Sequence, residues 1–245
     1  MMTKTIKAVV IGLIFCTFEA AYSEERQLDQ IKTSCVAVSY RSIQDKIFLG
    51  EVLYKGFWLE TKNTAKDYSG SWSADPDLLR WLVTSLSDQG FAAAKSVYEL
   101  SSQKAIDAYQ EEMSQRVKDF PDAVKDKFKP AFLEAYIKED MSPALQAMAS
   151  EVSSGLCNYL LEFVANGISA LRVRTTRVSI SPYIRLIDVK SGSVLWSAKA
   201  QMTHRYDSEV DLAMLEENDM EKAKAGLREA IYKFRFEELT VAANK

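Results

Sequence analysis

At Leu171 the hydrophobic period of this chain switches. Before it, from Leu100 to Gly167, apolar residues recur at helical spacing, with Ile106, Tyr109, Met113 and Val117 three and four residues apart. From it, Leu171, Val173 and Thr175 alternate with Arg172, Arg174 and Thr176, the period of a half-buried strand. A helix repeats every 3.6 residues and a strand every two, so one element cannot serve both stretches. The chain must carry a helical block and a sheet, which predicts an α+β (α/β-like) class.

Residues 35–40 (CVAVSY) read as a first strand. Residues 47–59 (IFLGEVLYKGFWL) read as one bent strand or a hairpin, with Gly50 and Gly56 as bends. The polar stretch Thr61 to Ser73 reads as a loop. Asp75 and Pro76 suit a helix start, because a carboxylate can cap free N–H groups and proline loses nothing in the first turn. Leu78, Leu79, Leu82 and Leu86 continue at helical spacing and Gly90 stops the helix. Residues 91–98 suit a strand. Pro121, Pro130 and Pro143 divide the helical block, whose last segment runs from Ser142 to Ala165.

Beyond Leu171 a bulge near Arg177 is expected, since Val178 and Ile180 fall out of phase. Residues 183–188 and 193–202 read as strands joined by Val189 to Gly192, with the glycine placed for positive φ. Val194, Trp196, Ala198, Ala200 and Met202 share the face expected to be buried. Residues 210–243 read as a charged amphipathic helix. The expectation is a single α+β domain over 24–245, built on one mixed sheet with flanking helices and a helical insertion at about 100–167.

The first 23 residues point to a compartment. Lys4 and Lys7 precede an apolar run, Ala8 to Phe18, and Ala21 and Ser23 are small residues at the positions a signal peptidase reads. Spanning a bilayer takes about 20 apolar residues, so this run suits a cleavable signal peptide better than a membrane anchor. Acylation at Cys16 is disfavoured, because Phe15 is bulky where lipoprotein signals carry a small residue. Periplasmic export follows, without a transmembrane span in the mature chain. In an oxidising space Cys35 and Cys157 can pair, or remain two buried thiols.

Several chemistries are excluded. Lys and Arg number 31 against 34 Asp and Glu, a formal charge of −3, which argues against nucleic acid as a partner. The single histidine, His204, has no partner legible in the sequence, so zinc sites and Ser-His-Asp catalysis are disfavoured. There is no Gly-rich phosphate loop and no cofactor signature. Acidic pairs such as Glu111-Glu112 and Glu216-Glu217 read as solvated faces.

Two clusters suggest binding. Arg172, Arg174, Arg177 and Arg185 can form a basic patch for an acidic protein, a lipid headgroup or an anionic glycan, or a salt-bridged face against Glu216, Glu217 and Glu221. Tyr54, Trp58, Tyr68, Trp72 and Trp81 lie close in sequence and read mainly as core, with Trp72 the expected exception because its flanks are polar.

The segment Tyr183-Ile184-Arg185-Leu186-Ile187-Asp188, followed by Ser191-Gly192-Ser193-Val194-Leu195-Trp196-Ser197, resembles a hairpin of bacterial envelope proteins. In that group, which includes penicillin-binding-protein activator and curli-secretion lipoproteins, the core looks like the N-terminal domain of the Tol-Pal translocation protein. Trp72-Ser73-Ala74-Asp75-Pro76 with Leu78-Leu79 resembles a helix start in ABC-transport auxiliary lipoproteins. The chain departs from both groups in lacking a good lipobox and in the length of its helical block. The resemblance implies a non-enzymatic periplasmic accessory protein with envelope protein partners, peripheral membrane contact remaining open. A second reading is a lipid- or small-molecule-handling auxiliary component of an ABC transport system. It requires an apolar cavity, expected along Leu156, Tyr159, Leu160 and Phe163.

Overall fold

The computed structural model describes residues 31–55, 58–91, 93–119, 131–154 and 157–237, with the side chains of Tyr54, Lys55, Trp58, Leu59 and Ala131 left out. The expected leader, Cys16, Gly56, Pro121, Pro130, Leu156 and the Tyr54 and Trp58 rings therefore lie outside what is described.

The strands are β1 (Cys35–Ser42), β2 (Lys46–Lys55), β3 (Trp58–Asp67), β4 (Ala93–Ser96), β5 (Tyr159–Ala165), β6 (Ile168–Arg172), β7 (Thr176–Ile180), β8 (Tyr183–Asp188), β9 (Val194–Lys199) and β10 (Met202–Arg205). The helices are α1 (Ala74–Asp88), α2 (Val97–Leu100), α3 (Gln103–Asp119), α4 (Ala131–Tyr136), α5 (Pro143–Ser154) and α6 (Glu221–Lys233). The class is α+β, with the β structure divided between two mixed five-stranded sheets instead of one. The first runs β4-β1-β5-β8-β9 and the second β10-β7-β6-β2-β3.

Two cores follow. One face of the first sheet and the inner face of the second share a core with α1 and α6, including Val38, Phe163, Ile168, Val178, Leu82 and Leu227. The opposite face of the first sheet packs under the helical insert, through Leu160, Val164, Met113, Leu133 and Leu145. The β8–β9 hairpin forms as its sequence suggests, with Gly192 at φ 75° in the turn. Ser142 caps α5, its Oγ accepting the Leu145 N–H at 3.2 Å ahead of Pro143.

Several expectations change. The strand expected over 193–202 divides into β9 of the first sheet and β10 of the second, β4 gives way to α2 at Val97, and within the stretch expected as a helix over 210–243 α6 begins at Glu221. The stretch Thr61 to Ser73 is mostly strand, because β3 pairs along all of β2 as a sheet edge. Its side chains are almost all exposed, so no apolar alternation marks it. The helical stretch ends at Ser154, and β5 occupies what reads as its last segment. A central strand buried on both faces reads as an unbroken apolar run, as a buried helix does. Residues 171–180 form no bulged strand but the β6–β7 hairpin. In α1, Ser73 precedes the helix, while both Asp75 carboxylate oxygens turn back to accept the Ser42 N–H at 3.1 and 3.2 Å. Finally, Val194 leaves the face of Trp196, because a register shift between Leu186 and Ile187 turns it to the insert side.

Candidate functional site

The predicted arginine cluster does not assemble as one patch. Arg185 is 1% exposed and lies opposite Glu162, also 1%, in the β5–β8 register. Its Nε donates to Glu162 Oε2, its Nη2 to the Tyr136 hydroxyl at 2.8 Å and its Nη1 to the Glu139 carbonyl at 3.1 Å. Tyr109 and Tyr136 both donate to Glu162 Oε1. Burial, then the Glu162 charge, raises both phenols well above their usual range, so they remain donors. Burial alone would lower the Arg185 guanidinium, but the Glu162 charge and hydrogen bond together with the Tyr136 and Tyr109 phenols outweigh it and the net shift is upward. Every member has a partner within the cluster, which makes it a fastening between the first sheet and the insert.

Trp72 is also buried, at 6%, contrary to expectation. Its ring lies between Tyr68 and Trp81, with centroids 5.7 and 6.3 Å away, and its Nε1 donates to Asp77 at 2.9 Å. Its flanks in sequence are polar, but Tyr68 just after β3 and Trp81 of α1 pack against the indole, and Lys224 of α6 lies over it. Nearby, burial pushes the Asp75 carboxyl up to about 6 against the opposing Ser42 hydrogen bonds. His204 has a partner after all: its Nδ1 lies 3.2 Å from Glu229 on α6, and its ring packs on Tyr206. Cys35 and Cys157 are bonded to each other, their Cα atoms 4.4 Å apart.

Tyr159 and Phe163 face the core shared by the two sheets, while Leu160 faces the insert. Strand alternation sends them to opposite sides, so they do not line one cavity and the carrier reading loses its basis. An open cleft of about 640 Å³ does lie between the β8–β9 turn and α5, lined by residues such as Asp140, Gln146, Ser150 and Lys190. Among the described residues no cluster of three or more His, Cys, Asp or Glu could hold a metal ion.

Of the remaining predicted arginines, Arg177 lies on the outer face of the second sheet and Arg174 in the adjoining turn. Cross-strand register places Arg205, Arg177, Leu171, Gly50 and Asn63 in one row across all five strands. The next row is Thr203, Ser179, Ser169, Phe48 and Ala65. Between them runs a groove of about 380 Å³ lined by Phe48, Gly50, Ser169, Leu171, Ser179 and Lys199. Leu171 is 41% exposed, and Val173 in the adjoining turn 39%. The alternation read at Leu171 is real but inverted, since Ile168 and Ala170 occupy the core face and Leu171 the solvent face.

Arg174 lies exposed in the turn, and Arg177 and Arg205 are exposed on the strands. Arg172 does not share their face: it sits at the inner edge, 4.0 Å from Asp211. No arginine of the predicted group pairs with Glu216, Glu217 or Glu221; Lys66 pairs with Glu216 and Lys224 with Glu221. The row thus combines one of the predicted residues, Arg177, with Arg205 and Leu171, and Arg174 lies beside it in the turn. The facing of Arg205 and Arg177 could not be read from sequence, because 28 residues and another sheet's hairpin separate them.

No protein-family model and no curated protein matches this sequence. Among solved structures it is similar to the hypothetical protein CT253 from Chlamydia trachomatis, at 9% identity and a TM-score of 0.42, covering 85% of this chain and 92% of that one. It is also similar to lipoprotein GNA1162 from Neisseria meningitidis (13% identity, TM-score 0.29, 74% and 90% covered). A third is the LpoB C-terminal domain from Escherichia coli (13%, 0.26, 69% and 83%).

Proposed function

We propose that this chain is an exported, non-enzymatic accessory protein of a bacterial envelope, working in the periplasm by binding other envelope components. The observation that carries the reading is the Arg205–Arg177–Leu171 row, an exposed cationic and apolar surface on a chain of net negative charge. Like charges directly opposite across strands are unfavourable, so a pair without an ion-pair partner among the described residues suits an anionic partner. Two further features support the compartment: the leader pattern of residues 1–23, and the Cys35–Cys157 bond, which an oxidising space sustains.

Fractionation of the native cells tests this. The protein should be protected from added protease until the outer membrane is opened, migrate as an oxidised species, and be retained with the envelope. The R177E/R205E variant should lose that retention, while R80Q, altered on the exposed side of α1, should keep it. A cytosolic protein, or retention indifferent to R177E/R205E, would refute the proposal.

A further inference from the structure

We infer that the tip of the β6–β7 hairpin and the Arg177–Arg205 pair form a docking surface for an anionic phospholipid layer. This rests on the reading of that face as the one used for binding, and it names the partner's chemistry.

Three observations converge. Of the large apolar side chains among the described residues, Leu171, Val173 and Tyr98 stand exposed, and two of these three lie on this one hairpin. Three arginines surround them: Arg174 in the turn, Arg177 opposite Leu171, and Arg205 opposite Arg177. Among the described residues none of the three arginines has an ion pair or side-chain hydrogen bond. Asp207 and Glu209, the acids that follow Arg205 in the chain, pair with none of them. By contrast Arg172, one residue from Leu171 but on the inner face, has Asp211 nearby.

An acidic protein surface would satisfy the charges but leave Leu171 and Val173 without a reason to protrude. A lipid layer satisfies both demands at once. Short apolar side chains enter the boundary between headgroups and acyl chains, while guanidinium groups take phosphate oxygens in bidentate fashion. A phosphodiester between Arg177 and Arg205 would also relieve their mutual repulsion. Beside them, the groove floored by Ser169 and Ser179 offers hydroxyl groups within the same face, suited to the polar part of a headgroup.

Cosedimentation of the full chain, as recovered from cells, with vesicles provides the test. Equimolar phosphatidylglycerol and phosphatidylcholine vesicles should bind it, and pure phosphatidylcholine vesicles should not. Binding should weaken as salt rises. R177Q/R205Q should lower affinity about 25-fold, at about fivefold per arginine. L171S/V173S should lower it about tenfold without changing the salt dependence. R80Q should bind like the wild type, and thermal melts of all variants should show that they fold. Equal binding to neutral and anionic vesicles, or affinity indifferent to R177Q/R205Q, overturns the inference. A photocrosslinker at position 171 in cells separates this from failure of the broader reading. If it captures only protein, whether an acidic partner or a second copy, while vesicles are not bound, the lipid is wrong and the docking face stands. If it captures nothing and vesicles are not bound, both fall.

Discussion

Asp75 shows how one side chain can serve a different purpose from the one its position suggests. Two residues into α1 it would be an acceptable cap, yet it reaches across to the Ser42 N–H at the end of β1 and pins strand to helix. Burial, opposed by those hydrogen bonds, raises its carboxyl from an ordinary 3.8 to about 6. The folded state therefore holds the proton more tightly than the unfolded chain. The stability this confers is complete below pH 4 and is lost as pH rises through about 6. D75N keeps one acceptor for Ser42 and cannot titrate. Urea titrations at intervals between pH 4 and 7 should show wild-type stability falling relative to D75N across that window; parallel curves would refute the shift. Residue identity alone could not reveal this, nor could it reveal that Trp72 is enclosed or that Arg185 is buried. Exposure depends on what folds over a residue, and polar neighbours in sequence need not be neighbours in space.

The helical insert is held to the first sheet by more than apolar contact. Leu160 and Val164 of β5 supply the greasy part, and Glu162 between them supplies a charge that must be matched. Arg185 on β8 matches it, while Tyr109 on α3 and Tyr136 on α4 bring the insert's own donors. R185M removes the cation and leaves a carboxylate 1% exposed, which should cost about 3–5 kcal/mol. E162Q/R185M keeps an acceptor for both phenols and removes the stranded charge, so it should lose less than R185M alone. Urea unfolding measures both, and hydrogen exchange should place the loosening in residues 103–154 before α1. A double variant as unstable as the single one would contradict this account. Of the insert's helices, Gln103–Asp119 was legible from apolar spacing and the start of Pro143–Ser154 from Ser142 and Pro143. β3 and β5 were not: one is an edge strand with little buried surface, the other is buried on both faces, and neither alternates.

For the molecule as a whole, the Cys35–Cys157 bond joins the start of β1 to the end of the insert, closing a loop with a sequence separation of 122. A closure of that length removes much of the unfolded chain's freedom, an effect on the order of 4 kcal/mol. C35A/C157A should lower the urea midpoint accordingly, and the wild type treated with reductant should match the variant. If reduction leaves the midpoint unchanged, the bond contributes nothing to stability. The sequence by itself determined some local features: where α1 starts and stops, the helical spacing of α3, and which hairpin closes at Gly192. Tertiary structure decided the allocation. It split the strands into two sheets, sent Arg185 into the interior, and set Arg205 beside Arg177 on an open face. Periodicity reports the spacing of apolar groups along one element, whereas register and burial depend on partners far away in the chain.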